Sequence, residues 1–435
     1  MSEFSLKQKP AQSEIEIQPL DKPLDHAVII PGSKSYTNRA VLIGAMAEGI
    51  TVLEHALICE DTELIANGVQ QFGRVKVNID DAIERMTVER EPGQMTAAKE
   101  PVFVGNAGTP IRFLISFASL ADGKSEITGN KRMQERPCQD LVDALLQLGV
   151  KAEVVNGTGC PPVRIQGPSL IGGKAKIRGS VSSQYTSSIL LNAPYAERDV
   201  ELEIIDDLTS KPYVDMTVGI MKEFGVEVER DGYRSFKVRK GQRYKAHNYR
   251  IEPDASNMSY FLAAAAILGG KVHIPDIGAQ SLQGDAKFVD VLERMGCTIE
   301  RGSDYFAIKG GRLQGIDVDM NWMPDLVPTL AVVAAYAEGR TYITNIANLR
   351  IKECDRIAAM ETELGKVGIR AESTEDTLTI YGGRPHGSRI ETYNDHRIAM
   401  CFAIAGLRTS GIIIEDPACT AKSFPTFWSV LDKLR

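Results

Sequence analysis

Two hydrophobic patterns alternate along the chain: short β-branched runs, and longer segments with apolar positions three and four residues apart. The first reads as buried strand and the second as helix. Their combination recurs. An Asp opens an amphipathic segment, the segment ends at a Gly, and a β-like run usually follows. The copies are "DTELIANGVQQFGRVKV", "DLVDALLQLGVKAEVV", "DMTVGIMKEFGVEVE", "DAKFVDVLERMGCTIE" and "DRIAAMETELGKVGIRAE". An acidic residue at a helix start complements the helix dipole, and Gly just past the last turn takes the left-handed cap. The glycines are Gly73, Gly149, Gly225, Gly296 and Gly368, spaced by 76, 76, 71 and 72 residues. A sixth helical segment, "SFPTFWSVLDKLR", closes the chain one period later without its Gly. The 435 residues exceed one ordinary core, so the pattern predicts six α/β units arranged as two domains of three.

A second kind of seam lies between these units. In "VIIPGSKSYTNRAVLIGAMAEG" a strand-like run stops at Pro-Gly, and an apolar helix opens among Lys34, Ser35, Thr37, Asn38 and Arg39. "GNAGTPIRFLISFASL" repeats the logic with Thr109 and Arg112. "GSVSSQYTSSILL" does so with Ser182, Ser183 and Gln184, and "TGNKRMQERP" offers Lys131, Arg132 and Arg136 in a loop. In the second half, "NIANLRIKECDRI" gathers Asn348, Arg350, Lys352 and Arg356. "TYNDHRIAMCFAIAGL" places His396 and Arg397 before a helix, and "DPACTAKSFPTF" presents Lys422. A turn at a helix start exposes backbone N–H groups where the dipole favours anions. Arg forks and Lys point charges recognise phosphate and carboxylate. Any one such residue reads as a helix cap or a solvated charge; their recurrence in both halves points to a site.

Composition narrows what that site binds. The formal net charge is -7, so the cations are not part of a basic coat for nucleic acid. No G-x-x-x-x-G-K-[ST] is present and no G-x-G-x-x-G follows a strand, which disfavours nucleoside triphosphates and dinucleotides. The six histidines lack H-x-H or H-E-x-x-H spacing, so no metal site is expected. The seven cysteines contain no C-x-x-C pair and fit reduced thiols in the cytoplasm. "MSEFSLKQKPAQSEIEIQ" has no apolar secretory core. Runs such as "YFLAAAAIL" fall well short of the ~18 residues that suggest a membrane span. The residues alone predict an interdomain cleft for small, multiply anionic molecules. Two carboxylates sit within this cationic theme. Asp325, in "NWMPDLVPTLAVVAAYA", reads either as an N-cap or as a base, and Glu353 directly follows Lys352.

Nine motifs, in order, resemble the 5-enolpyruvylshikimate-3-phosphate synthase family across essentially the whole chain: "PGSKSYTNRA", "GNAGT", "RMQERP", "GSVSSQY", "SKPYVD", "EPDASNMSYFLAAAAI", "RIKECDRI", "TYNDHRIAMCF" and "DPACTAKSFP". The resemblance implies an α/β fold of two domains, each of three βαβαββ units with helices inside and sheets around them. It implies domains of residues 1–32 plus 253–435 and of residues 33–252, with the active site between them. It also implies a cytoplasmic transferase of the shikimate pathway, hence of aromatic amino-acid biosynthesis, and a target of glyphosate. The implied reaction moves the enolpyruvyl group of phosphoenolpyruvate to the 5-hydroxyl of shikimate 3-phosphate by addition and elimination. It uses no metal, cofactor or covalent enzyme adduct.

By the same resemblance, Lys34, Ser35, Arg39, Ser182, Ser183, Gln184, Ser210, Asp325, Asn348 and Lys352 hold shikimate 3-phosphate. Lys34, Gly108, Arg136, Gln184, Arg356, Arg397 and Lys422 hold phosphoenolpyruvate, with Asn106 and Tyr213 as neighbours. Asp325 is the implied base for the attacking hydroxyl, and Glu353 and Lys34 compete to protonate the methylene carbon. The implied partners are small molecules acting on a monomer, without nucleic acid or membrane. One departure stands out: Pro110-Ile111-Arg112-Phe113 occupies the place of Ala-Met-Arg-Pro in many relatives, beside the phosphoenolpyruvate pocket. Phe113 is expected to shift the helix carrying Thr109 and to bear on glyphosate sensitivity, while Gly108 is retained.

Three rivals differ in testable ways. UDP-N-acetylglucosamine enolpyruvyl transferases share the fold and donor, but begin with Lys-Asn where this chain has Lys34-Ser35. They usually carry a reactive Cys in the loop matching "TGNKRMQERP", where this chain has none. A non-catalytic sensor of anionic metabolites would be free to lose Lys34, Asp325, Glu353 and Lys422, and all four are present. RNA 3′-phosphate cyclases of related architecture would need basic balance and motifs that are missing.

Overall fold

The computed structural model describes residues 13–435; most of the N-terminal stretch read for a secretory signal lies outside the described residues. Among the described residues the strands form six sheets, and five share one plan. Val200–Ile204 pairs in parallel with Gly173–Ile177 and antiparallel with Ser235–Val238, which in turn pairs antiparallel with Val228–Asp231. The sixth sheet keeps the parallel pair Ser388–Ile390 and Ile412–Glu415, and Glu14–Ile17 adds to it antiparallel. A strand near the N-terminus thereby completes the last unit.

Each unit contributes two helices of different character. The first kind is buried nearly all round: Lys34–Gly44, Gly108–Phe117, Ser183–Asn192, Ala255–Leu268, Val327–Ala335 and His396–Gly406. Ala255–Leu268 and Val327–Ala335 are apolar on all faces, which suits burial on all sides; Lys34–Gly44 and Ser183–Asn192 carry polar residues into the interior. The second kind, such as Gln139–Gln147 and Arg356–Lys366, buries one face under the sheets. The buried apolar residues fall into two separate clusters. One contains Ile17, Leu24, Val28, Ile30 and apolar residues from Ala255 to Leu434; the other runs from Tyr36 to Ile251.

The chain passes between the clusters twice, and the two crossings lie side by side. Ser33 N–H donates to the Glu252 carbonyl (2.8 Å) and Asp254 N–H to that of Pro31 (2.9 Å). Only a glycine fits at Gly32, where a Cβ would fall 1.8 Å from the His55 carbonyl oxygen. Asp254 then links the seams. Its carboxylate caps the helix Ala255–Leu268 through Asn257 N–H and accepts Lys34 N–H, each at 2.9 Å.

The left-handed caps predicted at Gly149, Gly225, Gly296 and Gly368 are present, with φ of 85°, 85°, 108° and 81°. Gly73 differs: the positive φ falls on Arg74 (74°). Gly73 is instead a point of close approach, since a Cβ there would lie 2.5 Å from Thr96 Oγ1. The expectation that an Asp opens each helix is corrected as well. Asp355 is a true N-cap, accepting Ala358 N–H. Asp61 and Asp140 lie in the first turn, and Asp285 in a 3-10 turn. Asp215 is inside the helix Lys211–Glu223, which starts earlier because Pro212 fits the first turn. Nor is Asp325 an N-cap: it occupies the 3-10 turn Pro324–Leu326, and its carboxylate turns to distant cations. Pro110 sits in the first turn of Gly108–Phe117, where its missing N–H costs nothing, and that helix is continuous through Phe113. No helix among the described residues is long and apolar enough to cross a membrane.

Candidate active site

The buried helices of both clusters begin at one cleft. It is lined at their first turns by Lys34 and Ser35, Gly108 and Thr109, Ser183 and Gln184, Ser256 and Asn257, and His396 and Arg397. The 3-10 turn ahead of Val327–Ala335 adds Asp325. Their dipoles point positive ends at the same volume. Seven cations line it (Lys34, Arg39, Arg112, Arg136, Lys352, Arg356 and Arg397) against four carboxylates, Asp61, Asp254, Asp325 and Glu353. An acidic chain therefore concentrates positive charge in one place, which is a trap for anions.

Most residues singled out in the sequence come together here. Lys34, Ser35, Arg39, Gly108, Arg136, Ser182, Ser183, Gln184, Ser210, Tyr213, Asp325, Asn348, Lys352, Glu353, Arg356 and Arg397 all line the cleft. Asn106 and Lys422 stand one layer behind. The Asn106 carbonyl accepts from Arg136 Nη1 (3.0 Å) and from Lys422 Nζ (2.8 Å), which places the two cations beside each other. Arg350 turns away, donating to the Thr374 and Glu375 carbonyls and pairing with Asp355. Lys131 is exposed on the loop and is not in the wall.

The carboxylates hold the cations in register. Asp325 meets Lys352 (3.4 Å), Arg356 (3.0 Å) and Arg397 (3.0 Å). Burial alone would raise its carboxyl, but these three cations hold it well below the usual range. Glu353 meets Arg356 (2.9 Å), Lys422 (3.8 Å) and Arg136 (3.9 Å), and is likewise held low against its burial. Burial pulls the Lys34 ammonium down, yet Asp61 at 3.1 Å together with Glu353 leaves Lys34 raised. Burial pushes Arg39 and Arg136 down to about 10, so both stay charged near neutrality. Arg39 is almost wholly internal: it donates to Thr217 Oγ1 (2.8 Å) and to the Ser35 (2.9 Å) and Tyr213 (3.0 Å) carbonyls. The departing residue Phe113 lies under it, with the guanidinium carbon 5.4 Å from the ring centroid. Gly108 admits Arg136: a Cβ there would fall 2.6 Å from its Nη2.

Several participants were not singled out. Asp61 reads as a helix start, yet it pairs with both Lys34 and Lys422 (3.4 Å) across the cleft. Asp395 caps His396–Gly406 and also holds Arg356 Nε at 2.7 Å. Asp395 stands in the polar stretch "TYNDHRIAMCF", which was the available signal for it; Asp61 had none beyond its place at a helix start. Asp285 lies behind the wall, accepting from Ser256 and from Tyr213 (3.4 Å). Burial pushes its carboxyl up from 3.8 to about 6. The folded state thus binds this proton more tightly than the unfolded chain, and stability falls as pH rises from about 4 to about 6. Asp285→Asn is expected to stabilise the protein by about 3 kcal/mol at pH 7.5, with the gain vanishing toward pH 4. Urea unfolding at the two pH values checks this; equal effects at both would contradict it.

Comparison with known proteins fits this geometry. The family profile described as EPSP synthase (3-phosphoshikimate 1-carboxyvinyltransferase) matches residues 20–431. The 3-phosphoshikimate 1-carboxyvinyltransferase of Trichormus variabilis is 43% identical over 421 residues, covering 97% of this chain and 99% of that one. That of Mannheimia succiniciproducens is 45% identical over 424 residues, covering 93% and 96%. The EPSP synthase structure from Acinetobacter baumannii superposes with a TM-score of 0.81 at 29% identity, over 97% of this chain and 98% of that one. The enolpyruvyl transferase NikO from Streptomyces tendae, at 19% identity and a TM-score of 0.77, with 97% of each chain covered, shares the fold. The expected α/β architecture of six repeated units is therefore that of the enolpyruvyl transferases, and the chain belongs to the EPSP synthase family.

Proposed function

We propose that this chain transfers the enolpyruvyl group of phosphoenolpyruvate to the 5-hydroxyl of shikimate 3-phosphate, releasing phosphate by addition and elimination. The observation that carries the proposal is the cleft itself, where cations outnumber carboxylates seven to four and come from both apolar clusters. Two anionic substrates repel each other, and this excess offsets the repulsion. Holding both in attack geometry supplies up to roughly 7–11 kcal/mol of the barrier. Residues 1–32 with 253–435, and 33–252, are the two domains of this reading, and closure over the substrates excludes water.

Lys34, Ser35, Arg39, Ser182, Ser183, Gln184, Ser210, Asn348 and Lys352 receive shikimate 3-phosphate. Lys34, Gly108, Arg136, Gln184, Arg356, Arg397 and Lys422 receive phosphoenolpyruvate, with Asn106 and Tyr213 adjoining. Asp325 accepts the proton of the attacking hydroxyl. With three cations on it, its carboxylate is a weak base; anionic substrates draw those cations off and strengthen it. For protonation of the methylene carbon, Lys34 carries its proton already, whereas Glu353 must first gain one against three cations. The enzyme so proposed is monomeric and cytoplasmic and acts on small molecules alone.

The acceptor distinguishes this from the UDP-N-acetylglucosamine transferases. Cys138, the cysteine nearest the "TGNKRMQERP" loop, is buried and its thiol is pushed up to about 12, so it is no ready nucleophile. Mass spectrometry of reactions offered each acceptor with phosphoenolpyruvate tests the assignment. An enolpyruvyl ether on shikimate 3-phosphate alone is expected; one on UDP-N-acetylglucosamine alone would overturn it.

A further inference from the structure

The loop "TGNKRMQERP" supplies Arg136 to the cleft wall, and its second arginine does something different. Arg132 is not in the wall. Its guanidinium reaches across to the other cluster's segment and takes backbone there. Nη2 donates to the Lys352 carbonyl at 2.9 Å, and Nε is shared between the carbonyls of Lys352 (3.3 Å) and Glu353 (3.2 Å). The remaining arm, Nη1, is held by Glu135 Oε2 at 3.1 Å. The segment it grips forms neither helix nor strand. That segment also carries two wall residues: Lys352 meets Asp325, and Glu353 meets Arg356, Arg136 and Lys422.

We propose that Arg132 is a positioning residue that latches the closed cleft and fixes the backbone from which Lys352 and Glu353 project. The proposal rests on the reaction proposed above. A planar fork can span two successive carbonyls where an ammonium holds one. The bonds join loops from opposite sides of the cleft, so they form only when it is closed, and their energy biases the equilibrium toward closure. A plain surface charge paired with Glu135 would contribute little, and it would not aim its fork at the backbone of two cleft residues 220 and 221 positions away.

Arg132→Ala and Arg132→Lys test this, with kcat and KM measured separately and closure followed by small-angle X-ray scattering on adding shikimate 3-phosphate. The alanine variant is expected to lose about 10- to 100-fold in kcat, as for a charged hydrogen-bonding group, and to compact less on binding. Its unliganded melting temperature should stay with the parent's, since Arg132 is a third exposed. Lysine should restore part of both losses. A folded alanine variant with kcat and compaction within about twofold of the parent would overturn the latch. So would lost activity with normal compaction and no rescue by lysine. Compaction lost in the variant, but no turnover even in the parent, would support the latch and overturn the reaction instead.

Discussion

Asp325→Asn is expected to lower turnover by a factor on the order of 10²–10⁴, the usual contribution of a positioned base, while leaving the fold intact. The carboxylate sits where Lys352, Arg356 and Arg397 converge, within 3.4 Å of all three. An amide keeps the shape and one acceptor but cannot take a proton. Substrate capture depends chiefly on the surrounding cations, so binding of shikimate 3-phosphate should change far less than the rate. Single-turnover rates beside calorimetric titration separate the two. A folded variant within about tenfold of the parent would remove Asp325 from the role of base.

The largest effect on stability is expected at Arg356, 2% exposed and bound to three carboxylates: Asp395 at 2.7 Å, Glu353 at 2.9 Å and Asp325 at 3.0 Å. Arg356→Met leaves buried negative charges facing one another. Removing one partner of a buried ion pair typically costs 3–5 kcal/mol, so about that loss is expected here, together with loss of turnover. The pH dependence has a definite sign. The folded Asp325 and Glu353 carboxyls lie well below their ordinary values of 3.8 and 4.5. Their stabilisation is therefore present above about pH 4 and is lost as pH falls through the depressed folded values. The deficit of the methionine variant should be full at pH 7 and shrink below about pH 4, read by denaturant unfolding. A deficit independent of pH would mean that lost packing, not lost pairing, accounts for it.

Much of the cleft was legible because its residues break local expectation. Lys34 and Arg39 in a helix that is buried nearly throughout, or Arg397 at the head of another, have no structural reason at a buried seam. The sixfold repeat was legible because a helix-ending Gly needs its φ, and four of the five carry it. What stayed hidden were residues that satisfy a local rule and a distant one together. Asp61 is an acceptable first-turn residue, and nothing near it announces that it holds Lys34 and Lys422. Asp325 follows a Pro as a cap would, yet its partners lie 27, 31 and 72 positions away in Lys352, Arg356 and Arg397. Arg132 and Arg136 share one loop, and only the tertiary fold separates the one that grips backbone from the one that lines the wall. At Gly73 the need for close approach to Thr96 imitates the signature of a cap.

The most direct measurement of the central claim is phosphate release from phosphoenolpyruvate, with and without shikimate 3-phosphate, in metal-chelated buffer. Release that requires both substrates, and persists in the chelator, is the predicted result. Folded protein that binds both ligands and releases no phosphate would contradict it and leave a sensor of anionic metabolites in its place.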